Sequence, residues 1–183
     1  MDEYIDLLNE DGERTGKTCL KSEAHKNGLY HASAHIWIFD KNKKVLIQKR
    51  AANKDTFPNL WDISVAGHIS AGELPINSAL REVKEEVGIT ISKNDLTFIG
   101  TSKKKVIHNV NLIDNELHYI YVCKIDFKIA SLKIQKEEVA EITSIDIDKL
   151  FKIINTKNNN FVPHGNDYYN FVLTEIKNYN CLK

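Results

Sequence analysis

Residues 67–89, GHISAGELPINSALREVKEEVGI, constrain the fold more than any other stretch, because one run encodes a loop, a helix and the helix stop. Ala79, Val83 and Val87 recur every four residues. On a helix with 3.6 residues per turn they form one apolar stripe, which needs a surface to cover. Gly88 supplies the stop, since glycine accepts the left-handed conformation that ends a helix. Glu82, Glu85 and Glu86, at i, i+3 and i+4, share a second face, where like charges repel one another. A solvated charged face is the plainest account of such a run. The other is a platform for a hard divalent cation, which takes oxygen ligands and also binds substrate phosphates. Periodicity alone does not choose between them.

The rest of the chain supplies the surface. YIDLLNEDGERTGKTCL reads as a hairpin with Asp11-Gly12 close to its turn. KSEAHKNGLYH reads as one helical turn, with Ser22 as N-cap and Gly28 as its stop. HASAHIWIFD and KVLIQKR are strand-like around the polar turn DKNKK. LTFIGTS, KVIHNV, ELHYIYVCKID and ITSIDI are further strand candidates, and DIDKLFKII and NDYYNFVLTEIKNY are helical. No segment repeats, and NTKNNN (155–160) is the nearest approach to a linker. Strands mixed with a few helices, without strict alternation, predict an α+β fold layered around a mixed sheet. A single domain over 1–183 is expected, with 1–30 as an N-terminal hairpin extension.

Composition removes several functions. The 25 basic and 25 acidic residues cancel, so no global field points to nucleic acid or a membrane surface. No apolar run approaches the roughly 18 residues of a membrane span. The start, MDEYIDLLNEDGERTG, is acidic and lacks the basic and apolar regions of a signal peptide. Cys19, Cys123 and Cys181 are widely spaced and include no CxxC pair. That suits a reduced, cytoplasmic compartment and argues against a disulfide framework or a structural zinc site.

Counted from Gly67, the pattern is glycine, five residues, glutamate, seven residues, then REVKEEVGI. Every fixed position matches the Nudix box, G-x5-E-x7-R-E-U-x-E-E-x-G-U with U aliphatic. With each type near roughly 7% usage, seven fixed matches arise by chance about once in 10⁸ starts. The chain resembles the Nudix hydrolases, and the resemblance implies a Nudix fold, an α/β/α sandwich around a mixed β-sheet. It also implies metal-dependent cleavage of a phosphoanhydride in a nucleoside diphosphate-type or other diphosphate-containing metabolite. By position, Glu82, Glu85 and Glu86 are the implied holders of Mg²⁺ (or Mn²⁺), with Glu82 and Glu86 as direct ligands and Gly67 offering its carbonyl. Glu73 and Arg81 are the implied brace between loop and helix, and Arg81 joins the three glutamates in the catalytic set. The box does not fix the general base: Glu85 is one candidate, and Glu137, Glu138 or Glu141 in KEEVAE is another.

A second resemblance is narrower. DLLNEDGERTGKT, EAHKNGLYHASAHIWIFD, KDTFPNLWDISVAGHISAGE and DNELHYIY look like the Nudix branch related to isopentenyl-diphosphate isomerase. It implies a second metal site at His25, His31, His68 and Glu116, with Asp114 where that branch has another glutamate. Strand alternation places His31 and His35 on one face, and Asp114, Glu116 and His118 on one face. Such a donor set suits Mn²⁺, Zn²⁺ or Mg²⁺. The chain departs from the isomerase in having Ala66 where that enzyme needs a catalytic cysteine, and in keeping an intact box. Both departures favour hydrolysis over isomerisation, and the intact acids argue against a non-catalytic nucleotide sensor. Arg50 is a candidate contact for a substrate phosphate. Trp37, Trp61, Tyr119, Tyr121 and Tyr168 are candidate stacking surfaces, with core packing the better account of the tryptophans. FVPHGNDYY is a candidate cover for the pocket, with His164 facing it.

Overall fold

The computed structural model describes residues 2–157 and 159–179, so Cys181 lies outside the described residues. Its first elements are an antiparallel pair, β1 (Tyr4–Leu8) and β2 (Arg14–Leu20), followed by α1 (Lys21–Asn27). Gly12 takes φ +84° in the hairpin turn, as the Asp11-Gly12 reading expects. Gly28 ends α1 in the left-handed conformation. Ser22 is not the N-cap. Leu20 holds that position, and the Ser22 hydroxyl donates to Asp2 Oδ2 at 2.5 Å from within the helix.

Seven strands form the main sheet: β3 (His31–Phe39), β4 (Lys44–Arg50), β5 (Trp61–Asp62), β6 (Val65–His68), β7 (Leu96–Asn109), β8 (Leu112–Lys124) and β9 (Val139–Asp146). β3 is parallel to β8 and antiparallel to β6, while β4 pairs antiparallel with β5 and β9. The sheet is therefore mixed. The segments LTFIGTS and KVIHNV, read as two strands, are one 14-residue strand, β7. Lys103 and Lys104 between them stay paired with Leu117 and Glu116 of β8, and the irregularity at Phe98–Gly100 falls inside the first segment, so local composition did not break the ladder.

Three helices close the two faces: α2 (Pro75–Val87), α3 (Ile147–Ile154) and α4 (Asn166–Asn178). Ala79, Val83 and Val87 cover Ala34, Ile36 and Ile38 on one side of β3. Trp37 and Phe39 pack with Leu150, Val172, Leu173 and Ile176 on the other. Residues 34–39 are buried throughout because both faces of the strand are covered. This is an α/β/α sandwich of α+β class. The aromatic candidates for stacking belong to its cores: Trp37, Tyr121 and Tyr168 are buried in them, and Trp61 and Tyr119 pack against them. No helix of the described residues is long and apolar enough to cross a membrane.

The α2 terminus decides how the acid face meets the sheet. Gly88 has φ +72°, and a Cβ there would lie 2.8 Å from Lys133 Cβ and 3.0 Å from Lys133 O. Gly88→Ala should therefore lower stability by about 1–2 kcal/mol, from the left-handed backbone and the close approach together. A urea denaturation midpoint indistinguishable from wild type would contradict this.

Candidate active site

α2 presents its glutamates to a cleft of about 390 Å³ that the loops at one end of the sheet surround. The approach of α2 to β6 is close. A Cβ on Gly67 would overlap the Glu82 carboxylate, so only glycine lets that carboxylate lie against the strand backbone. Glu86, fully buried, accepts from Gln48 Nε2 at 2.9 Å. Burial, with Glu82 adding repulsion, pushes its carboxyl up to about 8. Burial also raises Glu82, against the pull of Arg81, whose Nη1 sits 2.6 Å from Glu82 Oε1. Glu85 keeps 52% of its side chain exposed and meets Arg81 at 3.3 Å. Arg81 also reaches Glu73 Oε2 at 3.0 Å and the His68 carbonyl at 3.2 Å, the geometry of a loop-to-helix brace.

Of the later acids, Glu138 lines the cleft and pairs with Lys54, whereas Glu137 and Glu141 are exposed. Arg50 lines the cleft too, but its donors are engaged by protein. Nε and Nη2 donate to the carbonyl and hydroxyl of Thr56 at 3.0 and 3.1 Å, and Nη1 meets Asp62 at 3.1 Å. It clamps the loop between β4 and β5.

A second cluster adjoins the acids. The ligand atoms of His25, His31, His68 and Glu116 all lie within 4.8 Å of one another, as do those of His35, Glu116 and His118. Among the described residues the three α2 glutamates make no such group. The cross-strand register assembles the first set: His31 pairs with Glu116, and Ser33 pairs with both His68 and His118. His25 Nε2 is 3.2 Å from His68 Nε2. Burial, then His68 and His31, push His25 down to about 4, and burial lowers His31. Neutral His31 donates from Nδ1 to the Leu29 carbonyl at 2.8 Å, so Nε2 carries the lone pair. That nitrogen is buried and has no hydrogen-bond partner. Burial disfavours ionisation of Glu116, but hydrogen bonds from His118 and His68 outweigh it and hold its pKa well below the usual carboxylate range. Asp114, expected with this set, is absent from both groups. His108 Nε2 holds it at 2.8 Å, and its Oδ1 is buried without a partner.

Sequence reading missed Asp62 and saw His164 only as part of a cover. His164 Nε2 lies 2.7 Å from Asp62 Oδ1, joining residues 102 apart in the chain. No local pattern carries that pairing. Val162, Pro163 and His164 do line the cleft, as FVPHGNDYY suggested. Asp62 is fully buried, which opposes its charge, yet His164, Arg50 and the Ile63 amide overcome that and lower its pKa.

The box helix thus lays its acids against a glycine strand at the cleft, as the Nudix resemblance implies. The family model for the NUDIX domain matches residues 29–165, and the chain belongs to that family. Its family and fold are those of Nudix pyrophosphohydrolases. An uncharacterized Nudix hydrolase of Clostridium acetobutylicum is 32% identical over 96% of this chain and 97% of its own. Nudix hydrolase 3 of Arabidopsis thaliana is 33% identical over 89% of this chain, which spans only 22% of that protein. An isopentenyl-diphosphate Delta-isomerase of Serratia proteamaculans is 32% identical over 70% of this chain and 69% of its own. Among solved structures, DR0079 of Deinococcus radiodurans superposes with a TM-score of 0.69 at 18% identity, over 92% of this chain and 98% of that one.

The Asp62 pairing makes stability depend on pH. A carboxylate whose pKa is depressed on folding adds stability above its unfolded value, about 3.9, and loses it as pH falls through the lower folded value. Asp62→Asn should cost about 3 kcal/mol at pH 7, because it leaves Arg50 and His164 without their shared carboxylate. The deficit should shrink below about pH 4, where wild type loses the same contribution. Urea unfolding at pH 7 and pH 3 measures both; an equal deficit at the two values would refute the linkage.

Proposed function

We propose that this chain is a metal-dependent Nudix hydrolase that cleaves a phosphoanhydride bond in a nucleoside diphosphate-type or other small diphosphate-containing metabolite. The observation that carries the reading is the seat of the Glu82 carboxylate against Gly67, with Glu86 buried behind it on the same helix face. Two buried carboxylates with few protein donors suit a hard cation that takes oxygen ligands. Glu82, Glu86 and the Gly67 carbonyl would hold Mg²⁺, or Mn²⁺ in its place, with Glu85 at the solvent edge. When bound, the metal neutralises phosphoryl charge and makes water a better nucleophile. Glu85 and Glu138 both line the cleft and are the candidates to take the proton from the attacking water. Arg81 positions Glu82 and the β6 loop through its bonds to Glu73 and the His68 carbonyl.

A second cation at His25, His31, His68 and Glu116 is part of the proposal. Its support is the donor set, three imidazoles and a carboxylate, together with the orphaned Nε2 of His31. Asp114 is left out of that set because His108 holds it. The buried free thiols of Cys19 and Cys123 support a reducing, cytoplasmic setting. The hairpin of β1 and β2 docks on the rest through the Ala71 N–H to Tyr4 carbonyl bond at 2.8 Å, which supports one domain with an extension.

Isomerisation is the competing reading, favoured by the Serratia relative. Moving a double bond needs an acid and a base flanking the allylic carbons, and Ala66 offers a methyl group. No exchange of solvent deuterium into isopentenyl diphosphate is expected; uptake at an enzyme-like rate would replace the hydrolase assignment. For the hydrolase itself, Glu86→Gln should cut Mg²⁺-dependent phosphate release roughly a thousandfold. The same change replaces a buried carboxyl whose ionisation burial and Glu82 oppose, so the metal-free melting temperature should hold or rise. Normal turnover by the variant would defeat the metal role, and a large fall in melting temperature would point to a structural one.

A further inference from the structure

The run Lys103-Lys104-Lys105 on β7 sets three cations side by side, and the strand sorts them. Alternation sends Lys103 and Lys105 outward, where both are exposed, and turns Lys104 inward onto the cleft, where it is half-buried. Its cross-strand neighbour on that face is Glu116, the natural counter-ion by register. Glu116 is already taken. His31 and His68 face its Oε1, while Ser33 and His118 face its Oε2. Asp114, the next acid on the same face of β8, is held by His108. Among the described residues the Lys104 ammonium makes neither an ion pair nor a hydrogen bond. The other cleft lysine and arginine side chains, those of Lys21, Arg50, Lys54 and Arg81, each have a carboxylate at 3.6 Å or closer.

The register also separates Lys104 from the acids of α2. The Glu82 carboxylate lies against Gly67 on β6, and β6, β3, β8 and β7 are successive neighbours in the sheet. Three strand spacings make roughly 14 Å between the two backbones. Lys104 Nζ is 4.0 Å from where a Cβ on Gly165 would stand, so the ammonium points to the segment entering α4 and away from α2. Val162, Pro163 and His164 of that segment line the cleft. Two phosphorus atoms joined through one oxygen do not cover such a span. A diphosphate seated at Glu82 therefore leaves Lys104 without a counter-ion.

We propose that Lys104 is a specificity residue that binds a second anionic group of the substrate, a phosphate or a carboxylate carried apart from the diphosphate that is cleaved. The proposal rests on the hydrolase reading for the seat of the diphosphate at α2. A half-buried ammonium has given up part of its hydration, and here the protein returns no partner for it. An anion delivered by the substrate supplies that partner. Lysine acts as a point charge, so it reads the charge of the group and not a planar fork of oxygens.

The test uses the full chain and two matched pairs of diphosphates. UDP-glucuronate differs from UDP-glucose by one carboxylate, and NADP⁺ differs from NAD⁺ by one phosphate. With Mg²⁺, kcat/KM in at least one pair should favour the more anionic member by about tenfold or more. Lys104→Gln should reduce that preference about tenfold through a raised KM for the anionic member, and Lys104→Arg, which keeps the charge, should recover most of it. A preference confined to the UDP pair assigns a carboxylate, and one confined to the NAD⁺ pair assigns a phosphate. Wild-type protein labelled with ¹³C-lysine gives a readout independent of turnover and of variant folding. With Ca²⁺ replacing Mg²⁺, the Lys104 Cε signal, assigned by its loss in Lys104→Arg, should shift with an anionic member and not with its neutral counterpart. No shift with either anionic member, or equal shifts within both pairs, overturns the proposal. So does a Lys104→Gln loss that falls equally on both members, because the shared diphosphate is then what Lys104 touches. A selective shift with no hydrolysis of any probe would uphold the anion contact while removing the hydrolase reading beneath it.

Discussion

The site depends on one steric allowance, the missing side chain at Gly67. Because nothing projects from that backbone, the Glu82 carboxylate lies against β6, and α2 approaches the sheet closely enough for Glu86 to be buried behind it. The apolar stripe of Ala79, Val83 and Val87 supplies the burial that holds the helix there. The Glu73–Arg81 pair ties the intervening loop to the helix, so the acids face the cleft without relying on their own side-chain order. Packing sets the position, and the charges are carried by it.

What the sequence made legible was what repeats or sits close in the chain. The α2 stripe, the acid face and the stop at Gly88 are periodic and local, and all three are found. The His25, His31, His68 and Glu116 group came from the isomerase resemblance; alternation gave only the shared faces of His31 with His35 and of Asp114, Glu116 and His118, which sheet register preserves. The resemblance also placed Asp114 beside that group, but a neighbour on the same hairpin, His108, takes its carboxylate. Arginine's fit to phosphate suggested Arg50 as a substrate contact, whereas its clamp on Thr56 depends on a loop path that no pattern encodes. The Asp62–His164 pair joins β5 to the segment before α4 through tertiary contacts alone. Ser22 and the two-strand reading of β7 were local errors, each a propensity overruled by a partner elsewhere.

His31 and His35 sit four residues apart on one face of one strand and yet present opposite chemistry. A backbone carbonyl takes the proton of His31 Nδ1, while the Tyr168 hydroxyl, which accepts from Trp37 Nε1 at 3.1 Å, has its own proton to give to His35 Nδ1 at 2.8 Å. The residue type and the strand face are the same; the neighbour of the far nitrogen decides which ring is a base and which is a donor. Inventories of residues around a cleft therefore underdescribe it: of the two groups whose ligand atoms lie close together, one holds a ring whose free nitrogen can ligate and the other a ring set to donate.

Glu116 stands between these two halves, and its oxygens are shared unequally. Oε1 faces His31 and His68, at 3.8 and 3.5 Å, whereas Oε2 takes Ser33 at 2.8 Å and His118 at 3.3 Å. A planar group cannot move one oxygen without moving the other. Any occupant that draws Oε1 toward the His25 end tilts Oε2 against Ser33 and His118, and His118 is stacked on His35 with centroids 3.9 Å apart. The two ends of the cleft are thereby joined through one carboxylate, and were each to take an occupant, whatever factor one imposed on the affinity of the other would be returned in equal measure.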